Sequence, residues 1–391
     1  MHASDRQPVF DSVERTDGSP RHSTERTYTF LNRVSGDFWQ HPRHLIDSWA
    51  SHVVDDFAYK DIRARLRARD DRQFNSALHE LFVHEMLLRA GYQVTVHPML
   101  SDSTRHPDFY AEKDDAGLYV ECIAPGWSNV TDAERSRFNR FVDVINKAKI
   151  PNFRIGLVEL TQGASDPAAS KLRREIEQWL ATLNPDEVDL LSAAPTLEWT
   201  HDDWSATFCA LPVDRKARGK RRRAIALFAH EPAASFDGAG VILNALEVKH
   251  HKYGALDAPF VIALGTSFYD TDRHHSLQAF WGNDLGSEDE LSPEDGGYFG
   301  LPGSWRNTSV AGVLLVNRLH PAKLAEVEVT VWAHPGAEQA LPGLDVVGDR
   351  ITFDGTRIAT EPNAVRVLDF FGLPTPWPPG EPWPTSRSAA D

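Results

Sequence analysis

Cysteine is scarce: the chain of 391 residues has two, Cys122 and Cys209. Two thiols make no disulfide framework, so a reducing, cytoplasmic setting is expected. Long apolar runs are missing as well; none reaches the about 18 residues that would suggest a membrane span. The opening MHASDRQPVF has no basic stretch followed by an apolar one, and no secretion signal is expected. Positive charge is in deficit, with 41 Lys and Arg against 56 Asp and Glu and a net charge of -15. That argues against a non-specific nucleic-acid coat but leaves room for a local basic groove. Several chemical motifs are absent: a Gly-rich phosphate loop ending in Lys-Ser/Thr, a Gly-x-Gly-x-x-Gly after a strand, and a Gly-x-Ser-x-Gly elbow. Paired cysteines for structural zinc and internal repeats are absent too.

What is present is ordinary for a soluble globular chain, 41% hydrophobic and 25% charged, and long enough for a large core or two domains. Residues 1–27 are polar, without apolar period, and are expected to be flexible. Residues 373–391, LPTPWPPGEPWPTSRSAAD, are Pro-rich and read as an extended tail. Between them, alternating runs such as YQVTVHPM, PDFYAE, GLYVECIA and NFRIGLVEL interleave with helical periods such as TDAERSRFNRFVDVINKAK and GVILNALEVKHHKYG. The fold class is therefore α/β, or mixed α+β.

The stretch NSALHELFVHEMLLRAG, 75–91, places His and Glu twice in an apolar helical run. A zinc-protease helix needs two His four apart, on one face. His79 and His84 are five apart, which turns their side chains roughly 140° away from each other. Phe74, Ala77, Leu78, Leu81 and Leu88 form the apolar face; Glu80 lies at its edge and Glu85 within it. A carboxylate there must reach water, bind a cation, or pair with a base such as Arg63, Arg65 or Arg67.

The next segment, RHPDFYAEKDDAGLYVECIAP, supplies Asp108 after Pro107 and, thirteen residues on, Glu121. A helix-borne Glu, a Pro-Asp at the start of one strand and a Glu at the end of its neighbour would gather three carboxylates at one sheet edge. Such a group is repulsive without cations and suits Mg²⁺ or Mn²⁺. On ALHELFVHEMLLRAGYQV, HPDF and YVECI, the chain resembles the PD-(D/E)xK nuclease superfamily. The resemblance covers roughly residues 72–160. It implies a restriction-endonuclease-like core ordered helix, three strands, helix, strand, with Glu80, Asp108 and Glu121 as catalytic carboxylates and metal ligands. It also implies Mg²⁺- or Mn²⁺-dependent hydrolysis of phosphodiesters in a bacterial, defensive setting. Read this way, the core spans 28–162 and a second α/β half spans 163–372.

One residue departs from the pattern. The superfamily's Lys, two positions after the acidic residue, is Ile123 here. That Lys orients the attacking water and stabilises charge on phosphate. The chain has ten lysines. Lys147 and Lys149, at the end of the helix after YVECI, are the expected replacements, since some members of the superfamily carry the Lys there. LEVK at 246–249 is a Glu-x-Lys match, but in a helix Glu247 and Lys249 point about 200° apart, so it reads as chance. Lys252 reaches the site only if the two halves pack together. His84, one turn after Glu80, and His106, before the Pro-Asp pair, are candidate bases. Cys122 alternates away from Glu121 and reads as core.

Two stretches are basic. KDIRARLRARDDR, 60–72, precedes the Glu80 helix. RKARGKRRR, 215–223, has seven basic residues in nine and lies between strands. Arg215, Lys216, Arg218, Lys220, Arg221, Arg222 and Arg223 are candidate contacts to a nucleic-acid backbone. The expected partner is nucleic acid, DNA ahead of RNA, with a homodimer left open and no membrane. Two other readings stand beside the endonuclease: an inactive module of the same fold that binds nucleic acid or a protein, and a carbohydrate hydrolase that uses two of these carboxylates with some of the 11 Trp.

Overall fold

The computed structural model describes residues 6–383 except 101–103, 126–131, 189–193, 220–223, 229–236, 251, 269, 283–296, 345 and 356. The chain begins with helices α1 (Thr27–Arg33), α2 (Asp37–Ser51), α3 (Asp56–Leu66) and α4 (Asp71–Arg89). Strands β1 (Gln93–Val96), β2 (Phe109–Lys113) and β3 (Ala116–Ile123) follow, then α5 (Asp132–Asn146), β4 (Phe153–Thr161) and α6 (Ala169–Ala181). Next come β5 (Thr196–His201), β6 (Trp204–Pro212), β7 (Ile225–Phe228), α7 (Gly238–His250), β8 (Phe260–Thr266) and α8 (His274–Trp281). The chain continues through β9 (Gly300–Leu301), β10 (Ser304–Trp305), β11 (Gly312–Asn317), β12 (Glu328–Ala333), β13 (Asp349–Phe353), β14 (Ile358–Glu361) and α9 (Val367–Phe370).

The chain divides into two compact units: Met1–Pro20, Arg26–Trp127 and Asp237–Asp391 form one, and Arg21–Glu25 with Ser128–Phe236 the other. The first is built on an eight-stranded sheet ordered β1-β2-β3-β8-β11-β12-β13-β14. β1, β2 and β3 run antiparallel, while β8 lies parallel to both β3 and β11. This is a mixed α/β fold with a mixed parallel and antiparallel sheet.

Local sequence explains the elements around β3. Asp70 caps α4 by accepting from the Arg72 amide. The β2–β3 hairpin turns at Asp114 and Asp115, both with positive φ (50° and 61°), which two-residue hairpin turns favour and Asp tolerates. Alternation along β3 then sorts its side chains. Leu118, Val120 and Cys122 join Val261 and Ala263 of β8 in the core that holds Leu78, Leu81 and Phe82 of α4. Glu121 points to the opposite face, where residues of α7 and the turn after it meet it.

The second unit has a four-stranded sheet, β5-β6-β4-β7, with its own core. Phe141 and Ile145 of α5 and Leu172 and Ile176 of α6 pack there with Ile155, Leu157 and Phe208 of the strands.

This division corrects the expected one. α5 and β4 follow β3 in sequence but belong to the other sheet. The helix after β3 in the first unit is α7, and the strand beside β3 is β8. The units part at 127/128 and 236/237 rather than at 162. The first residues are also not a free end: Val9 and Phe10 are buried, and Arg6 donates to the Val53 carbonyl at 2.6 Å. The Pro-rich segment is pinned by Trp377 Nε1 on the Pro321 carbonyl (3.0 Å) and by Trp39 Nε1 on the Pro382 carbonyl (3.1 Å). Residues 384–391 lie outside the described residues.

Candidate active site

Phe109 pairs with Val120 across the β2–β3 ladder, so the next step sets Asp108 opposite Glu121. Two carboxylates in that relation repel each other. Asp108 Oδ2 accepts the Cys122 amide at 2.7 Å, and no other hydrogen bond to the Asp108 side chain is present among the described residues. Burial, then the charges of Glu121 and Glu80, push the Asp108 carboxyl up to about 7. The Asp108 position is therefore short of positive charge.

Glu121 has no exposed surface, so its charge needs partners. Three groups at the end of α7 supply them. Lys249 Nζ and Lys252 Nζ both meet Oε1, the latter at 2.7 Å. Tyr253 Oη lies 2.6 Å from Oε2. Burial works against the Lys249 ammonium, but Glu121 outweighs it and the pKa is raised. Lys249 is charged at neutral pH.

Glu80 is held differently. Arg65, from α3, grips it with both outer nitrogens, at 2.6 Å to Oε1 and 2.5 Å to Oε2. This is the geometry of a bidentate guanidinium–carboxylate pair. Glu80 was expected to be a direct ligand, yet both its oxygens are engaged by Arg65. Glu85 is likewise paired, with Arg89 Nε and His52 Nδ1 at 2.6 Å each.

The remaining candidates fall elsewhere. Lys147 and Lys149 lie after α5 in the second unit; at 149 the backbone amide binds Glu177 at 2.7 Å. His84 is buried with its ring 5.6 Å from that of Phe109. Burial pushes it down to about 4, and the other groups that act on it are Glu85 and His52, away from the Asp108–Glu121 pair. His79 binds the Ala263 carbonyl through Nε2 at 3.0 Å, which makes it a packed core histidine. His106 contributes its backbone: its carbonyl lies 2.6 Å from Tyr253 Oη. Cys122 is buried with its thiol pKa raised, first by burial, so it is inert core.

In the basic loop, Arg215 and Arg218 share Asp186 at 2.9 and 2.8 Å, and together, Arg218 first, they hold its carboxyl down to about 2. Lys216 donates its amide to Asp214 (2.9 Å). Lys220, Arg221, Arg222 and Arg223 lie outside the described residues. In the 60–72 stretch, Arg63 and Arg67 turn to the Pro8 and Val9 carbonyls, while Arg65 pairs with Glu80.

Among the described residues, no three His, Cys, Asp or Glu side chains converge closely enough to hold a metal by themselves. Mg²⁺ does not need three: it commonly takes one or two carboxylates and keeps water or substrate phosphate for the rest. Asp108 and Glu121 are the two carboxylates that face each other here: Asp108 accepts the Cys122 amide through Oδ2, and Glu121 is held by Lys249 and Lys252 on Oε1 and by Tyr253 on Oε2.

The sequence reading missed Tyr253 and set aside Lys249. The signal was KHHKY, with Lys249, Lys252 and Tyr253 at i, i+3 and i+4, a spacing that gathers side chains on one side of a helix end.

No protein-family model, curated protein or solved structure matches this chain. No helix among the described residues is long and apolar enough to cross a membrane.

Proposed function

We propose that the chain is a metal-dependent nuclease of the PD-(D/E)xK type whose missing lysine is replaced by Lys249 from α7. The observation that carries this reading is the pair of ammonium groups, Lys249 and Lys252, on Glu121, directly across the ladder from Asp108. A Lys at Ile123 would stand on the same face of β3 as Glu121. Lys249 brings its charge to that face from the neighbouring helix. The order α4, β1, β2, β3, α7, β8 supports the same reading, with β3 parallel to β8 and the two helices on opposite faces of the sheet. The second unit is then an insertion between β3 and α7.

The roles follow from placement. Asp108 and Glu121 would hold Mg²⁺ or Mn²⁺, which when bound supplies Lewis-acid activation of water and stabilisation of the leaving oxygen. Lys249 orients the water and balances charge gathering on the phosphate. Lys252 shares the neutralisation of Glu121. Arg65 holds the Glu80 carboxylate in place through its two outer nitrogens. Arg215, Lys216 and Arg218 would contact the phosphate backbone without reading sequence.

The test is cleavage of single- and double-stranded DNA and RNA with Mg²⁺ or Mn²⁺, by the wild type and Asp108→Ala. Cutting that needs metal and is lost in the variant supports the reading. The runner-up, a binding module on the same fold, draws on the engagement of both Glu121 oxygens by Lys249, Lys252 and Tyr253. Nucleic-acid binding without cleavage on any of these substrates would favour it.

A further inference from the structure

We infer that Tyr253 is a positioning residue of this site, holding Glu121 and the Pro107-Asp108 turn in one frame through its single hydroxyl. The inference rests on the nuclease reading above and adds to it a residue outside the carboxylate and lysine set.

Tyr253 Oη lies 2.6 Å from Glu121 Oε2 and 2.6 Å from the His106 carbonyl oxygen. Both partners can only accept when Glu121 is ionised, and a phenol has one proton to give. The hydroxyl is therefore shared between the strand that carries one carboxylate and the peptide just before the residues that carry the other. Its ring is fixed independently. It packs edge-on against Phe260, the first residue of β8, with centroids 5.6 Å apart. The ring and the hydroxyl thus draw on three elements, β3, β8 and the approach to β2, and meet them from the turn that follows α7. Lys252 precedes Tyr253 directly, and the Lys252 amide donates to the Lys249 carbonyl at 3.1 Å. Any drift of this turn would carry both ammonium groups away from Glu121.

Outer-shell partners that orient a ligating carboxylate typically contribute roughly tenfold to a hundredfold in metal affinity or activity. Tyr253→Phe keeps the ring and its contact with Phe260 and removes only the shared hydroxyl. The matched control is Tyr119→Phe, which removes a 2.9 Å bond from Tyr119 to Asp257 without touching Glu121.

The experiment measures Mg²⁺ binding by calorimetry and steady-state cleavage for the wild type and both variants, with melting temperatures alongside. The expected result is a loss of roughly tenfold or more in Mg²⁺ affinity and in kcat for Tyr253→Phe, with KM for the nucleic acid unchanged and Tyr119→Phe like wild type. Wild-type binding and cutting that Tyr253→Phe leaves intact would overturn the positioning role and spare the nuclease reading. Equal losses in both variants, tracking their melting temperatures, would also overturn it, since they would mark general loosening. A wild type that neither binds Mg²⁺ nor cuts would overturn both readings.

Discussion

Asp108→Asn should stabilise the protein in the absence of metal, and by an amount that depends on pH. The folded environment moves the Asp108 pKa from 3.8 to about 7. A carboxyl raised in this way keeps its proton in the folded state between those pH values while the unfolded chain has lost it. Stability then falls as pH rises through that window, and the penalty is fully present above about 7. At about 1.4 kcal/mol for each pH unit, the shift corresponds to an upper bound of about 4 kcal/mol, and relaxation of the neighbouring charges would leave about 2 to 4 kcal/mol. Asn is nearly isosteric and its carbonyl still accepts the Cys122 amide. Urea unfolding in EDTA should therefore show Asp108→Asn more stable than wild type at pH 8 and close to it at pH 4. Mg²⁺ at pH 8 should stabilise the wild type and have little effect on the variant. A variant no more stable than wild type at pH 8 would refute the claim that burial, with Glu121 and Glu80 nearby, disfavours the ionised Asp108 carboxylate.

Two further substitutions test the frame of the site. Arg65→Ala leaves Glu80 nearly buried without its bidentate partner, and should lower stability by about 2 to 4 kcal/mol in denaturant unfolding, with Arg65→Lys recovering only part. Gly265→Ala would put a Cβ 2.9 Å from His79 Nδ1, and should cost about 1 to 3 kcal/mol, read as a lower melting temperature, because α4 and β8 cannot both keep their places.

Much of this was legible in the chain because it is local. The helical period within 75–91 and the polar turn between PDFYAE and GLYVECIA are each written within a few residues. So was the need for a partner at Glu80, with Arg65 among the bases named for it. Which helix and strand complete the sheet was not legible. α5 with β4 and α7 with β8 are both amphipathic helices followed by apolar strands, and periodicity carries no label for the sheet a strand joins. Because residues 128–236 form a separate unit after β3, the helix next in sequence, which carries Lys147 and Lys149 at its end, is not the helix that brings Lys249 and Lys252 to Glu121. The angle between Glu247 and Lys249 concerns those two residues alone; it does not bear on Lys249 and Glu121, which sequence alone does not bring together. The N-terminal segment misled for a related reason. It has no period of its own because it packs as irregular chain, with Val9 and Phe10 buried.

The most direct measurement is metal-dependent nucleic-acid cleavage by Lys249→Ala beside Lys147→Ala under identical conditions. The account predicts that Lys249→Ala loses at least a hundredfold in kcat, and that Lys147→Ala cuts like wild type. Full activity in Lys249→Ala would contradict the assignment of the lysine's role to α7.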